Sequence, residues 1–348
     1  LRELALAKGA GSQLPTAREL CTQLQTSSAT LTAALDLLES EQILCRKERQ
    51  GVFVADTLYQ RTIHIIFNIS NMSNIGQSPF WSLLWVKLLE EAEQNAAFKN
   101  EQYRFHFLCI DMGQPLPDDY ITLLSSAQVD GFLLIGLNAR DQEHRRLLSI
   151  PHVTFAGGGD ITIQIDQQEA GRLAARHLIQ LGCKKIACWM PTNTNTDIDI
   201  INAELLKQVV AEQNATVYPE FFRSPTLPPS VNRKEFIYQE QGYMLAREVF
   251  SVSNDNRPDG LYITDDMLTS GALVALEELG IRIGKDINIV TYANAGSPIL
   301  FGRTKQMAVV EIDTSDIVHA MFSLLDAAIN KGYEPEDTII NIRPHLSL

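Results

Sequence analysis

The chain has 348 residues, long enough for two or three domains with separate cores. Its 45% hydrophobic and 20% charged residues are those of an ordinary globular protein, and no apolar run reaches the roughly 18 residues that suggest a membrane span. A net charge of −13 argues against sequence-blind binding of nucleic acid over the whole surface. Five scattered cysteines, Cys21, Cys45, Cys109, Cys183 and Cys188, form neither a disulfide framework nor a Cys-x-x-Cys metal pair, as expected of reduced thiols in the cytoplasm.

In chain order, the first patterned stretch runs from Leu14 to Ala55. Thr16 is a plausible N-cap with Glu19 as its capping-box partner, and Leu20 and Leu24 share one face. Thr26, Ser27 and Ser28 open a second helix whose inward stripe is Leu31, Ala34, Leu35 and Leu38. Its outward side carries Ser28, Thr30 and Thr32 near the N-terminus, short polar groups able to approach phosphates and base edges. Arg46 to Gly51 is a turn between two short strands, with Gly51 allowing the turn and Arg49 reaching outward. With a short helix in front, this order predicts a winged helix-turn-helix. A small helical protein-contact domain with serine caps fits the same pattern. Arg2, Lys8, Arg18, Arg46, Lys47 and Arg49 face Glu3, Glu19, Asp36, Glu39, Glu41, Glu48 and Asp56, so the stretch is close to neutral. Tight binding by one copy is disfavoured, and a dimer would double the phosphate contacts.

From Arg61 the pattern becomes short apolar strands alternating with amphipathic helices. The first set has strands at Ile63–Phe67, Phe105–Ile110, Gly131–Ile135 and Val153–Phe155, and helices near Phe80–Phe98, Asp118–Ser126 and Asp141–Leu148. The second has strands at Ile163–Ile165, Lys185–Trp189, Thr216–Tyr218, Gly260–Ile263 and Ile287–Thr291. Its helices fall at Gln168–Leu181, Asp197–Gln213, Arg233–Phe250 and Met267–Leu279. Such alternation predicts an α/β protein of two lobes, each a parallel sheet flanked by helices. Ligands then bind at the carboxyl ends of the strands, between the lobes. Gly157-Gly158-Gly159 reads as a hinge where the chain crosses between lobes.

Polar and aromatic residues fall where the strands should end. They are Asn68, Ser70, Ser78, Phe80 and Trp81 in the first lobe, and Asp166, Asn202, Thr264, Asp265 and Asn294 in the second. Planar hydrogen-bonding groups beside an aromatic face suit a sugar; helix capping and turn chemistry are the plainer roles of the same residues. No phosphate loop, paired-histidine motif or catalytic constellation appears, so the chain reads as no enzyme, with no cofactor and no metal.

Two resemblances sharpen this reading. LPTARELC, TSSATLTAAL and RQGVFV resemble the helix-turn-helix and wing of the GntR family of bacterial repressors. That resemblance implies DNA contacts from Thr16, Arg18, Ser27, Ser28, Thr30, Thr32 and Arg49, although serine and threonine stand at Ser28 and Thr32 where the family has arginines. Residues 165–189 and 259–296 resemble LacI-type regulators and periplasmic sugar-binding proteins. Together they imply a winged helix-turn-helix at 1–56, a linker at 57–61 and a type I periplasmic-binding-protein-like domain at 62–348. Lobe 1 would be 62–158 plus 294–312, and lobe 2 would be 159–293 plus 313–348. The expected function is a cytoplasmic, homodimeric repressor of double-stranded operator DNA, controlled by a small effector such as a carbohydrate. A solute receptor with no DNA role is the alternative.

Overall fold

The computed structural model describes residues 1–41, 43–47, 50–55, 61–69, 79–99, 101–110, 120, 122, 129–137, 150–192, 207–208, 210–212, 218, 221–224, 237–251, 257–331 and 338–348. Three structural units follow one another. The amino-terminal head contains α1 (Arg2–Lys8), α2 (Ala17–Gln23) and α3 (Ser28–Ser40), then the antiparallel hairpin β1 (Leu44–Lys47) and β2 (Gly51–Val54). The helix stripes and the hairpin's inner face meet in a core of Ala5, Leu14, Leu20, Leu31, Leu35, Leu38, Leu44 and Val54. The stretch before α2 lies along β2, where Leu14 N–H donates to Val52 O at 2.9 Å and Val54 N–H donates to Ser12 O at 2.8 Å.

The first sheet has the order β13-β7-β6-β5-β3-β4, all parallel. Its strands are β3 (Arg61–Asn68), β4 (Glu101–Leu108), β5 (Gly131–Ile135), β6 (His152–Phe155), β7 (Ile161–Ile165) and β13 (Thr338–Ile342). Alternate residues of the central strands bury opposite ways, as period-two geometry requires. Ile63, Ile65, Phe67, Leu133 and Ile135 pack against α4 (Pro79–Lys99) and a late helix, α8 (Thr314–Lys331), through Leu84, Leu88, Met321 and Leu325. Ile66, Phe132 and Leu134 form the core of the other face.

The second sheet has the order β14-β12-β11-β10-β8-β9 and is parallel except for β14. It comprises β8 (Ile186–Trp189), β9 (Phe222–Arg223), β10 (Gly260–Ile263), β11 (Asn288–Asn294), β12 (Ala308–Ile312) and β14 (His345–Ser347). On one face α5 (Gln167–Gln180) packs Ala170, Ala174 and Leu178 against Ile186, Cys188, Tyr262 and Val290. On the other lie α6 (Tyr238–Phe250) and α7 (Asp266–Glu278), covering Ala187, Trp189, Leu261 and Ile263. These two helices are in backbone contact: a Cβ on Gly271 would stand 1.8 Å from Gln239 O.

The chain crosses between lobes three times, and the crossings differ from the expected division. Ile161–Ile165 was expected in the second lobe, but it pairs with β6 and β13 and completes the first sheet. Residues 308–312 were expected in the first lobe, yet β12 bonds to β11 in the second. Residues 314–342, expected in lobe 2, supply α8 and β13 to lobe 1. The crossings are therefore at Asp166, Asp313 and Arg343–Pro344. Asp166 N–H donates to Ile342 O at 2.9 Å, tying two of them together. Gly157-Gly158-Gly159 is no crossing; it joins β6 to β7 within one sheet. Glycine is needed at 157 for another reason, since a Cβ there would lie 1.8 Å from Leu137 O. Arg61, expected as the last linker residue, already forms part of β3. The strand expected at Thr216–Tyr218 and the helices at Asp118–Ser126, Asp141–Leu148 and Asp197–Gln213 fall wholly or mainly outside the described residues.

Candidate nucleic-acid interface and ligand site

The head presents α3 and the hairpin outward. Ser27 is the N-cap of α3: its Oγ accepts from Thr30 N–H at 3.2 Å and lies 2.9 Å from Thr30 Oγ1. Thr32 Oγ1 donates to Ser28 O at 3.0 Å, and Ser28 and Thr32 are exposed. Hydroxyls and first-turn N–H groups therefore form the leading end of this helix, a surface that favours phosphate oxygens. Thr16 caps α2 in a capping box, its N–H donating to Glu19 Oε2 at 2.8 Å and its Oγ1 accepting from Glu19 N–H at 3.4 Å. Thr16 Oγ1 also donates to Glu19 Oε2 at 2.8 Å, and this bond, with that from the Thr16 N–H, holds the Glu19 carboxyl below its ordinary range. Arg18 is exposed on the same helix. Arg49 lies outside the described residues. Two neighbours, counted in the charge balance but not named as DNA contacts, shape the charge of this face. Arg46 is paired with Asp36 and with Glu39, the latter at 3.3 Å, so this hairpin cation is already engaged by acids of α3. Lys47 Nζ stands 4.7 Å above the Phe53 ring on the hairpin.

The second candidate site is where the strands of both sheets end beside the crossings. In the first lobe Phe80 and Trp81 are half-buried and meet edge to face at 5.1 Å. Phe67 lies 6.1 Å from Trp81, and Phe155 lies 5.9 Å from Phe80. This aromatic group caps the carboxyl ends of β3 and β6. Asn68 does not lie open beside it. Asn68 is 6% exposed and works as a clamp: Nδ2 donates to Ile110 O at 3.0 Å and Gly136 O at 3.1 Å, while Oδ1 accepts from Ile110 N–H at 3.1 Å. Those bonds join the ends of β3, β4 and β5. Ser70, Ser78 and Asn202 lie outside the described residues.

In the second lobe Thr264 and Asp265 follow β10, and Asn294 ends β11 beside it. Thr264 Oγ1 donates to Trp189 O at 3.3 Å. Asp265 is the N-cap of α7 and accepts from Leu268 N–H at 2.9 Å. Asp166 does the same for α5 through Glu169 N–H at 2.9 Å. Capping is thus a role of both aspartates, and for Asp265 the electrostatics go further. Burial, reinforced by the charge of Asp266, pushes its pKa up to about 7 against the opposing pull of two backbone N–H bonds. Asp266 is 3% exposed and raised as well, chiefly by burial, although Ser297 Oγ donates to its Oδ2 at 2.5 Å.

Tyr292 and Asn294 share a face of β11, two residues apart. The Tyr292 hydroxyl and Asn294 Oδ1 are buried with no hydrogen-bond partner. Burial raises the Tyr292 phenol, with further contributions from the Asp265 and Asp266 charges. The Tyr292 ring packs against cores of both lobes, which puts it at their junction. Tyr292 and Ser297 were missed from sequence. Among the described residues no group of three His, Cys, Asp or Glu side chains could hold a metal ion, and no helix is long and apolar enough to cross a membrane.

Comparison with known proteins fits this geometry. Residues 6–54 match the family of bacterial regulatory proteins of the gntR type. Residues 175–348, half the chain, match the periplasmic binding protein-like domain. The HTH-type transcriptional repressor PurR of Serratia proteamaculans is 25% identical over 236 residues, covering 65% of this chain and 64% of that protein, just under two thirds of its length. The structure of the transcriptional regulator CelR in complex with cellobiose is similar over 96% of this chain and 99% of that one, with a TM-score of 0.60 and 16% identity. A LacI family transcriptional regulator from Enterococcus faecalis with bound ribose covers 83% of this chain and 97% of its own, with a TM-score of 0.55 and 17% identity. At these identities the structural likenesses establish the two-lobed fold. The chain belongs to the periplasmic binding protein-like domain family and carries a gntR-type DNA-binding domain at its amino-terminal end.

Proposed function

We propose that this protein is a ligand-responsive transcription regulator, a repressor that binds double-stranded operator DNA through α3 and the hairpin. A small molecule held between the lobes would change their closure and so the placement of the reading heads. The observation that carries this reading is the union, in one chain, of a three-helix-and-hairpin head with two sheets joined by three crossings. Such a hinge permits closure, a recurrent switching motion, and an effector shifts DNA affinity only by its differential binding to the two states. Ser27, Ser28, Thr30, Thr32, Thr16, Arg18 and Arg49 are the proposed DNA contacts.

The proposed ligand groups are Phe80, Trp81, Thr264, Asp265, Asn294 and Asp166, to which Asp266 and Tyr292 are added. Asn68 is proposed as the support of the first lobe's strand ends. The relatives' complexes with cellobiose and ribose support a sugar-like ligand. The near-neutral head favours a homodimer, in which two copies share one operator and double the phosphate contacts. A DNA partner implies a cytoplasmic location and a role without catalysis.

Fluorescence anisotropy with labelled duplexes from upstream of the protein's own coding sequence tests the reading. Specific binding that weakens with salt is expected; equal affinity for random duplex at moderate salt would refute it. Light scattering should give twice the mass of the chain at the binding concentration, and a monomer on bound DNA would exclude the paired arrangement.

A further inference from the structure

The first residues of lobe 1 are held from three sides. Ala55 closes the head, its N–H donating to Ile43 O at 2.9 Å, and Arg61 opens β3. Residues 56–60 separate them in sequence. Arg61 stands opposite Glu101, the first residue of β4, in the parallel ladder. Its guanidinium reaches both β4 and α8. Nη1 lies 3.0 Å from Asp326 Oδ1 and 3.5 Å from Glu101 Oε1, and Nη2 donates to Asn330 Oδ1. Asp326 is braced in turn by Asn330 Nδ2, which donates to its Oδ1 at 3.0 Å, and by Lys99 Nζ at 3.6 Å. The third side is the approach to β5: Thr62 N–H donates to Asp130 Oδ2 at 2.7 Å, and Asp130 N–H donates to Thr62 O at 2.9 Å.

Glu101 makes this more than a surface ion pair. It is 3% exposed, and a carboxylate so buried needs its charge balanced and its oxygens hydrogen-bonded. Arg61 supplies the charge, and the Tyr103 hydroxyl donates to Oε2. The Tyr103 ring stands 5.4 Å from Phe322 of α8. A planar guanidinium with five donors can serve both carboxyls and the Asn330 amide together. α8 begins beside a lobe crossing, where Ser315 N–H donates to Asp313 Oδ1 at 2.8 Å, and its buried stripe of Ile317, Met321 and Leu325 fixes it to the first sheet. Its 18 residues span about 27 Å, so one packed helix runs from that crossing to the clamp on Arg61.

Resting on the reading of this protein as a paired DNA reader, we infer that Arg61 is a positioning residue: it fixes the point at which the linker leaves lobe 1, and so sets the spacing of half-sites that two heads can reach. The chain from Ala55 to Arg61 reaches at most about 20–22 Å. Release of the first three residues of β3 would lengthen each tether by about 10 Å. Two added base pairs displace a half-site by about 7 Å along the duplex and about 70° around it, within what two lengthened tethers can follow. The intact clamp therefore discriminates between operators that a frayed β3 would bind alike.

Fluorescence anisotropy of the full chain on the duplex from upstream of its coding sequence, and on the same duplex with two base pairs inserted at its centre, tests this. The parent should lose at least tenfold in affinity on the lengthened duplex. Two variants should lose less than threefold. One is Arg61→Gln with Glu101→Gln, which leaves no buried charge unpaired; the other is Asp326→Ala with Asn330→Ala, which frees Arg61 from α8 and keeps its pair with Glu101. Circular dichroism and a retained melting transition establish that each is folded. A general weakening of the protein would lower affinity for both duplexes alike, whereas loss of the clamp levels them. Equal affinity of the parent for the two duplexes, or a discrimination that survives in either folded variant, overturns the inference and leaves the regulator reading standing. Failure of both variants to fold would make Arg61 a structural residue and overturns it too. Specific binding of neither duplex by the parent refutes the regulator reading, and the inference falls with it.

Discussion

Replacing Asp265 by asparagine should stabilise the protein at alkaline pH and leave it nearly unchanged in acid. Asparagine keeps the oxygen that accepts from Leu268 N–H, so the cap on α7 survives. What is lost is a carboxyl that burial and the neighbouring Asp266 hold near pKa 7, against an ordinary aspartate value of 3.8. The native state therefore binds a proton more tightly than the unfolded chain. The associated stability is fully present below pH 3.8, falls as pH rises toward 7, and is gone above it. At about 1.4 kcal/mol per pH unit, the interval of about three units corresponds to about 4 kcal/mol, an upper bound for a carboxyl that keeps some solvent contact. Urea unfolding of both proteins, followed by circular dichroism at pH 4 and pH 8, should show Asp265→Asn ahead by about 2–4 kcal/mol at pH 8 and by under about 1 kcal/mol at pH 4. A gap that shrinks as pH rises, or a variant less stable at pH 8, refutes the argument that Asp265 is an electrostatic liability kept for binding.

Three further substitutions probe other parts of the account. Asn68→Ala removes three bonds, to Ile110 N–H and to the carbonyls of Ile110 and Gly136, and should cost about 2–4 kcal/mol in urea unfolding; a loss under about 0.5 kcal/mol would mean that Asn68 is no clamp. Gly157→Ala drives a methyl into Leu137 O and should lower the melting temperature by several degrees, and an unchanged transition would show that this backbone approach is not as described. Ser27→Ala removes the α3 cap at a cost of about 0.5–2 kcal/mol to the head and should weaken operator binding while ligand titrations without DNA stay as in the parent chain; a matching loss of ligand affinity in the absence of DNA would contradict a role for Ser27 at the DNA contact.

Much of the fold is legible because its elements announce themselves by period. Leu31, Leu35 and Leu38 mark α3, Thr16 with Glu19 opens α2, and the all-apolar Gly131–Ile135 can only be a central strand. The lobe division is less legible, because β7, β12 and β13 are parallel strands whose sheet is decided by partners far away in sequence. α8 was passed over although Ile317, Val318, Met321, Phe322 and Leu325 repeat at helical spacing, a signal that was available. The candidate site is readable only in part. Asp265 and Asn294 were picked out as strand-end polar residues, but Tyr292 reads as an ordinary core aromatic. Ser297 meets Asp266 only because β10 and β11 are neighbours in the sheet. Asn68 shows the opposite failure, since a polar residue after a strand serves a turn as readily as a ligand, and here its amide is taken up by the main chain.

The central claim is that ligand binding at the lobe junction and DNA binding by the head are one equilibrium. The most direct measurement is an anisotropy titration of the full chain onto its operator duplex across a series of effector concentrations, paired with calorimetric titration of the effector with and without that duplex. Linkage requires the effector to change DNA affinity by the same factor as DNA changes effector affinity. The account predicts equal factors of fivefold or more, as expected for about 1–3 kcal/mol of coupling. An operator affinity that stays constant while the effector saturates the protein would contradict it.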